Sequence, residues 1–173
     1  VLSLGLVAAG CGEDEEEPTG GSGTSQEEEK PGIKIGLVTD IGGLNDRSFN
    51  QLANEGLERA KSELGVEGRA LTSGSNADYV PNLSTLAQQK YDLVIGVGFL
   101  MADGIDTVAK QFPNTNFAII DFSNALLKSK PANVDGLLSK EAEDGYLVGT
   151  LPALYVKDKG GDQVISSVGG QKI

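Results

Sequence analysis

Three short, nearly continuous apolar runs limit what this chain can fold into. They are Ile33-Lys-Ile-Gly-Leu-Val-Thr39, Asp92-Leu-Val-Ile-Gly-Val97 and Asn116-Phe-Ala-Ile-Ile-Asp121. A strand with one wet face alternates polar and apolar residues, whereas a strand covered on both faces does not need to. These runs therefore read as strands of a parallel sheet with helices on both sides. The segments between them carry helical spacing. Phe49, Leu52, Ala53, Leu57, Ala60 and Leu64 fall on one face of a helix over residues 49–64, with Ser48 placed to cap it and Gly65 to end it.

The same alternation continues to the end. Residues 67–71 read as a strand, 78–90 as a helix with Pro81 in its first turn, and 102–111 as a helix closed by Pro113. Residues 134–139 read as a strand. Residues 141–157 read as a helix with Leu147, Leu151, Leu154 and Tyr155 turned inward, and 163–168 as a last strand after Gly160-Gly161. The expected fold class is α/β, a three-layer doubly wound parallel sheet. In such sheets ligands sit beyond the carboxyl ends of the strands, near the point where strand order reverses. The functional search narrows to residues 39–50, 96–101, 121–124 and the loop after Ser139.

Composition removes several functions. There is no His, so no Ser-His-Asp triad, no His base and no His metal ligand. A single Cys excludes a disulfide within the chain, a CxxC redox pair and a Cys-based zinc site. The net charge of −11 makes a poor general binder of nucleic acid, whose phosphates call for Lys and Arg. Much of that charge is local. Residues 12–32 carry eight acids against Lys30 alone, together with Pro18, Gly20, Gly21, Gly23 and Pro31, and no large apolar residue. Such a stretch cannot bury enough surface to offset its own ordering, and reads as a disordered, self-repelling acidic linker over 11–32.

Ahead of the linker stands Val1-Leu-Ser-Leu-Gly-Leu-Val-Ala-Ala-Gly-Cys11. It is shorter than the roughly 20 residues that span a bilayer as a helix. Its length and small-residue ending suit the core of a signal peptide, truncated at its start, over 1–10. Val7-Ala-Ala-Gly-Cys11 resembles a bacterial lipobox, which implies that Cys11 becomes the first mature residue and carries lipid. Acyl chains on Cys11 would anchor the protein to a membrane, each adding roughly 0.8 kcal/mol per buried CH₂.

At the expected strand ends polar and aromatic residues gather. The first strand runs out at Asp40, followed by Asn45, Asp46, Ser48, Phe49 and Asn50. The next long run ends in Gly96-Val-Gly98-Phe99, and another in Asp121-Phe122. Three of the five Phe residues lie on this one edge. A ring beside carboxylates and amides suits a planar polar ligand, stacked on its face and hydrogen-bonded at its edge. Each residue also has a plain structural reading. Phe49 fits a helix core, Asp40 and Asp121 fit turn caps, Asp46 fits a loop acid or an N-cap partner, and Gly96 and Gly98 fit a tight turn. Other motifs fail. Gly96-Val-Gly-Phe-Leu-Met101 has Met where a dinucleotide fingerprint needs its third glycine, and no P-loop occurs.

The stretch Ile35-Gly-Leu-Val-Thr-Asp40-Ile-Gly-Gly-Leu-Asn-Asp46-Arg-Ser-Phe49-Asn50-Gln51 resembles the basic membrane protein family of ABC-transporter substrate-binding lipoproteins, the PnrA-like purine nucleoside receptors. Supporting matches are Val94-Ile-Gly-Val-Gly-Phe99, Phe117-Ala-Ile-Ile-Asp121, Asn133-Val-Asp-Gly136, Glu141-Ala-Glu-Asp-Gly-Tyr-Leu-Val-Gly149 and Ser167-Val-Gly-Gly-Gln-Lys172. Asn45 stands where many relatives carry Asp.

The resemblance implies a type I periplasmic-binding-protein fold, with two α/β lobes closing on a purine nucleoside. Residues 33–173 would be the N-terminal lobe, the second lobe lying outside this sequence. It also implies roles: Asp40 at the base edge, Phe49 as one of two stacking rings, Asp121 on the ribose hydroxyls, and Asn50, Gly98 and Phe99 lining the pocket. The implied partners are an ABC permease and, through Cys11, the extracytoplasmic face of the cell membrane. No cofactor, metal or covalent chemistry is implied. The same fold also serves receptors for other solutes, such as sugars or signal molecules, and non-transport sensor domains.

Overall fold

A computed structural model describes residues 32–160, 162 and 164–169. The expected signal-peptide core, Cys11 and the acidic linker up to Pro31 lie outside the described residues. Five parallel strands form one sheet in the order β2-β1-β3-β4-β5. They are β1 (Lys34–Val38), β2 (Glu67–Leu71), β3 (Leu93–Val97), β4 (Asn116–Ile120) and β5 (Val134–Leu137). Helices α1 (Phe49–Leu64), α2 (Tyr79–Gln88) and α3 (Ala102–Gln111) connect them, and α4 (Glu141–Lys159) follows β5. The doubly wound expectation holds.

Both faces of the sheet are covered, which explains the continuous apolar runs. On one face Val38, Val94, Phe117 and Ile119 pack with Leu83, Leu86, Ile105 and Val108 of α2 and α3. On the other, Leu37 and Val97 pack with Leu57 of α1, flanked by Ile35, Ala53, Ala70, Ile95 and Ile120. Two strand glycines let the helices approach. A Cβ on Gly36 would lie 2.6 Å from Leu86 Cδ1, and one on Gly96 2.6 Å from Ile105 Cδ1.

Three expectations need correction. In α1 the sheet-facing residues are Asn50, Ala53, Leu57 and Ala60, while Phe49, Leu52 and Leu64 are exposed. The buried stripe starts one residue later than the apolar pattern implies, because an amide rather than a ring sits over the end of β1. In α4, Leu147, Leu151, Leu154 and Tyr155 are all exposed, and the helix buries no residue. Its Leu and Tyr stripe faces solvent rather than a covering element. The expected last strand is absent over residues 164–169, which form no regular structure. Gln163 lies outside the described residues.

Gly136 and Gly56 are opposite cases. A Cβ on Gly136 in β5 would sit 2.5 Å from the Phe122 carbonyl oxygen and 2.7 Å from the Asn124 backbone nitrogen, neither of which can swing away. Gly56, within α1, faces open space. Gly136→Ala is therefore expected to destabilise the fold by about 1–3 kcal/mol, and Gly56→Ala to stabilise it by about 0.5–1 kcal/mol. Denaturant unfolding of both variants checks the pair; equal shifts would contradict it.

Candidate ligand-binding site

The strand order places the reversal between β1 and β3. From β1 the chain winds outward to β2, then crosses back to β3 and continues to β4 and β5. The crevice above this point is where an open α/β sheet presents ligand-binding loops. The register aligns Val38 with Gly96 and Gly96 with Ile119. Two residues further on, Asp40, Gly98 and Asp121 stand in one rank along the carboxyl edge. Backbone bonds hold the rank: Thr39 N–H to the Leu71 carbonyl (3.0 Å), Gly98 N–H to Ile120 (3.1 Å) and Asp121 N–H to Leu137 (2.9 Å).

Asp40, the first of the six expected ligand residues, is held at both its side chain and its backbone. Its Oδ1 accepts from the Gly42 N–H at 2.8 Å and from Asn50 Nδ2 at 2.6 Å. Its own N–H donates to Asn50 Oδ1 at 3.1 Å. Its Oδ2 accepts no hydrogen bond among the described residues, and a Cβ on Gly98 would come 3.3 Å from it. Gly98 adopts a φ of 91°, open to glycine and strained for other residues. Glycine at this position thus serves both the turn after β3 and the space beside the Asp40 carboxylate.

The α1 N-terminus supplies two further residues. Phe49, its first residue, is 50% exposed, so its ring is not part of the core. Asn50 is only 1% exposed and lies beneath the rim, its amide engaged by Asp40 and Asp46. Ser48 makes no side-chain capping bond, contrary to expectation. Asp46 caps the helix instead. Its Oδ1 accepts from the Ser48 and Gln51 N–H groups at 2.9 and 3.0 Å, and its Oδ2 from the Asn50 N–H at 3.1 Å. A carboxylate accepts several such bonds and carries the charge that a helix N-terminus favours, which a hydroxyl does not. Burial pushes the Asp46 pKa up, but those backbone N–H groups and the Asn50 amide outweigh it, and the net shift is downward.

Asp121, just past β4, takes a positive φ of 65°, a conformation Asp tolerates better than most residues. Its carboxylate accepts no hydrogen bond among the described residues. Burial, followed by the charge of Glu141 at the start of α4, raises its pKa. Phe99 and Phe122 line a cavity of about 410 Å³ at the same end of β3 and β4, with Leu126, Leu127 and a Lys128–Asp103 ion pair of 2.8 Å. A second groove, about 460 Å³, lies at the opposite end of the sheet among Tyr91, Phe112, Asn114 and Asn116. The carboxyl end is the better candidate, because the polar loops and the strand reversal meet there.

Beneath the rim, the Tyr79 hydroxyl is buried with no hydrogen-bond partner among the described residues. Burial and then the Asp40 charge raise its pKa, and the Ile41 N–H acts in the opposite sense without reaching hydrogen-bonding geometry. Sequence reasoning gave Tyr79 no role, since its helical position alone reads as core. No three described His, Cys, Asp or Glu side chains are grouped to hold a metal ion. Nor is any described helix long and apolar enough to cross a membrane.

Residues 33–173 match the family described as "Bmp: ABC transporter substrate-binding protein PnrA-like". The chain belongs to this family. It is a family of transporter substrate-binding proteins, not of enzymes. An uncharacterized lipoprotein of Pyrococcus horikoshii is 38% identical over 99% of the chain, which covers 40% of that protein. The ABC transporter nucleoside-binding protein BmpA of Lactococcus lactis is 36% identical over 90% of the chain, covering 43% of it. Among solved structures, an ABC transporter solute-binding protein from Aeropyrum pernix superposes with a TM-score of 0.65 at 32% identity, over 75% of this chain and 35% of that one. The chain thus spans less than half the length of the curated relatives it matches.

Two carboxylates of the candidate site, Asp46 and Asp121, are shifted in opposite directions and respond to acid in opposite ways. Asp46 is depressed in the fold, so its stabilisation is fully present above an unfolded carboxylate value of about 4 and is lost as pH falls through the lower folded value. Asp121 is raised, so ionising it opposes folding as pH climbs through its folded value. Asp46→Ala is expected to cost about 1–2 kcal/mol near neutral pH, with the difference from wild type shrinking below about pH 4. Urea unfolding at several pH values measures this, and a pH-independent difference would contradict it.

Proposed function

We propose that this chain is the ligand-capturing N-terminal lobe of an extracytoplasmic receptor that binds a purine nucleoside and delivers it to an ABC permease. The observation that carries this reading is the rank of Asp40, Gly98 and Asp121 at the strand reversal, with the half-exposed ring of Phe49 beside it. The free Asp40 Oδ2 would accept from the base edge, Phe49 would stack on the base face, and the Asp121 carboxylate would take ribose hydroxyls. Phe99 would close the pocket wall. The similarity to the nucleoside-binding protein BmpA of Lactococcus lactis supports a nucleoside over other solutes.

The receptor reading includes a second lobe and a membrane anchor. Tyr146, Leu147, Val148, Leu151 and Leu154 of α4 are exposed, and the longer relatives have the chain length to cover them. Ligand would favour the closed arrangement of the two lobes, and its differential affinity for that state is all the transport signal requires. Cys11, with its lipobox, would carry lipid and hold the protein at the outer face of the membrane, the acidic linker serving as tether. The Pyrococcus relative's name as a lipoprotein agrees with this.

Calorimetry on the full-length protein tests the ligand. Guanosine is expected to bind and glucose not to; heat with glucose and none with any nucleoside would move the reading to a sugar receptor. Phe49→Ala is expected to weaken nucleoside binding by about 1–3 kcal/mol through lost stacking. Its unfolding midpoint should stay near wild type, because the ring is half exposed. An unchanged dissociation constant would remove Phe49 from the site.

A further inference from the structure

The residue that sets the geometry of the ligand-facing acid is itself hidden from the ligand. Asn50 is 1% exposed, yet its side chain makes three hydrogen bonds. Its Oδ1 accepts the Asp40 N–H at 3.1 Å. The two hydrogens of its Nδ2 go to two carboxylates, Asp40 Oδ1 at 2.6 Å and Asp46 Oδ2 at 3.0 Å. Asp46 is fixed in turn by the backbone N–H groups of Ser48, Asn50 and Gln51 at the start of α1. The chain of bonds runs from the α1 N-terminus through Asp46 and Asn50 to Asp40, and it grips Asp40 at both its backbone and its side chain.

We propose that Asn50 is a positioning residue for ligand recognition, which locks one oxygen of Asp40 so that the other, Oδ2, alone faces the ligand beside Gly98. The proposal rests on the nucleoside-receptor reading for the identity of the ligand. Buried amides that satisfy two carboxylates at once restrict both, since no other arrangement pairs every donor. Asp40 then presents a single acceptor in one orientation, and the entropy of fixing the carboxylate is met on folding rather than on binding. Asn50 fits this role better than a place in the pocket lining. Both of its donors are used, and the fold covers it.

The test combines a ligand-free crystal structure with a double-mutant cycle, using Asn50→Ala and, should it fold poorly, Asn50→Ser. In the ligand-free variant the Asp40 carboxylate is expected to leave its contact with the Gly42 N–H; an unmoved carboxylate would overturn the proposal. In calorimetry with guanosine, Asn50→Ala is expected to weaken binding about tenfold or more in the wild-type background. It should have less than about a twofold effect in an Asp40→Ala background, because coupled residues are non-additive. A residue that merely held α1 in place would cost the same in both backgrounds, and that outcome overturns the proposal. If wild type binds no nucleoside, the ligand assignment fails, while the position of Asp40 in the ligand-free variant still decides the role of Asn50.

Discussion

Strand β1 is hydrogen-bonded on both sides, to β2 and to β3, and the site depends on that placement. Parallel pairing on both edges brings the carboxyl ends of β1, β3 and β4 to one level. The connections leave in opposite directions from β1 and β3, opening a crevice between them. The cover of helices on both faces lets the strands be apolar throughout. In β1, β3 and β4 polar residues are then confined to the strand ends and the turns beyond them, where Asp40, Gly98 and Asp121 emerge. A one-residue slip of β1 against β3 would break that rank and turn Leu37 and Val38 to the wrong faces.

The turn after β1 shows how the chain orders an irregular segment at the sheet edge. Seven residues separate Val38 from Asp46, and no regular structure fills them. Charge-assisted hydrogen bonds order the turn instead. Asp46 receives the helix N-terminus and Asn50 joins the two acids. Gly42 packs close to both acids, since a Cβ there would lie 3.2 Å from Asp40 Oδ1 and 3.3 Å from Asp46 Cβ. Burying these groups is tolerable because their buried donors and acceptors are paired. The ring of Phe49, by contrast, has no packing role that accounts for its exposure.

Much of the fold was legible because it rests on short-range pattern. The apolar runs at 33–39, 92–97 and 116–121 became β1, β3 and β4, each within one or two residues of its expected bounds, and α3 coincides with its expected span. What stayed illegible depends on tertiary partners. Leu147, Leu151 and Leu154 look like a buried helical stripe, but a stripe records only a tendency to be covered, not what covers it. Ser48 is a good N-cap residue by type, and only the path of the turn shows that Asp46 reaches the same N–H groups. For the site, the strand-end positions of Asp40, Gly98 and Asp121 could be read from the sequence. Asn50 beneath the rim could not, since a single Asn at a helix start gives no sign of whether it faces a ligand or two carboxylates.

The central claim is that ligand binds at the carboxyl edge of the sheet, across the β1–β3 crevice. Amide chemical-shift mapping of the isotope-labelled full-length protein during a guanosine titration tests it most directly. The account predicts shifts clustered at residues 40–50, 98–99 and 121–122, with the groove around Tyr91 and Asn116 unchanged. Shifts confined to that opposite groove, or none in the turn after β1, would contradict it.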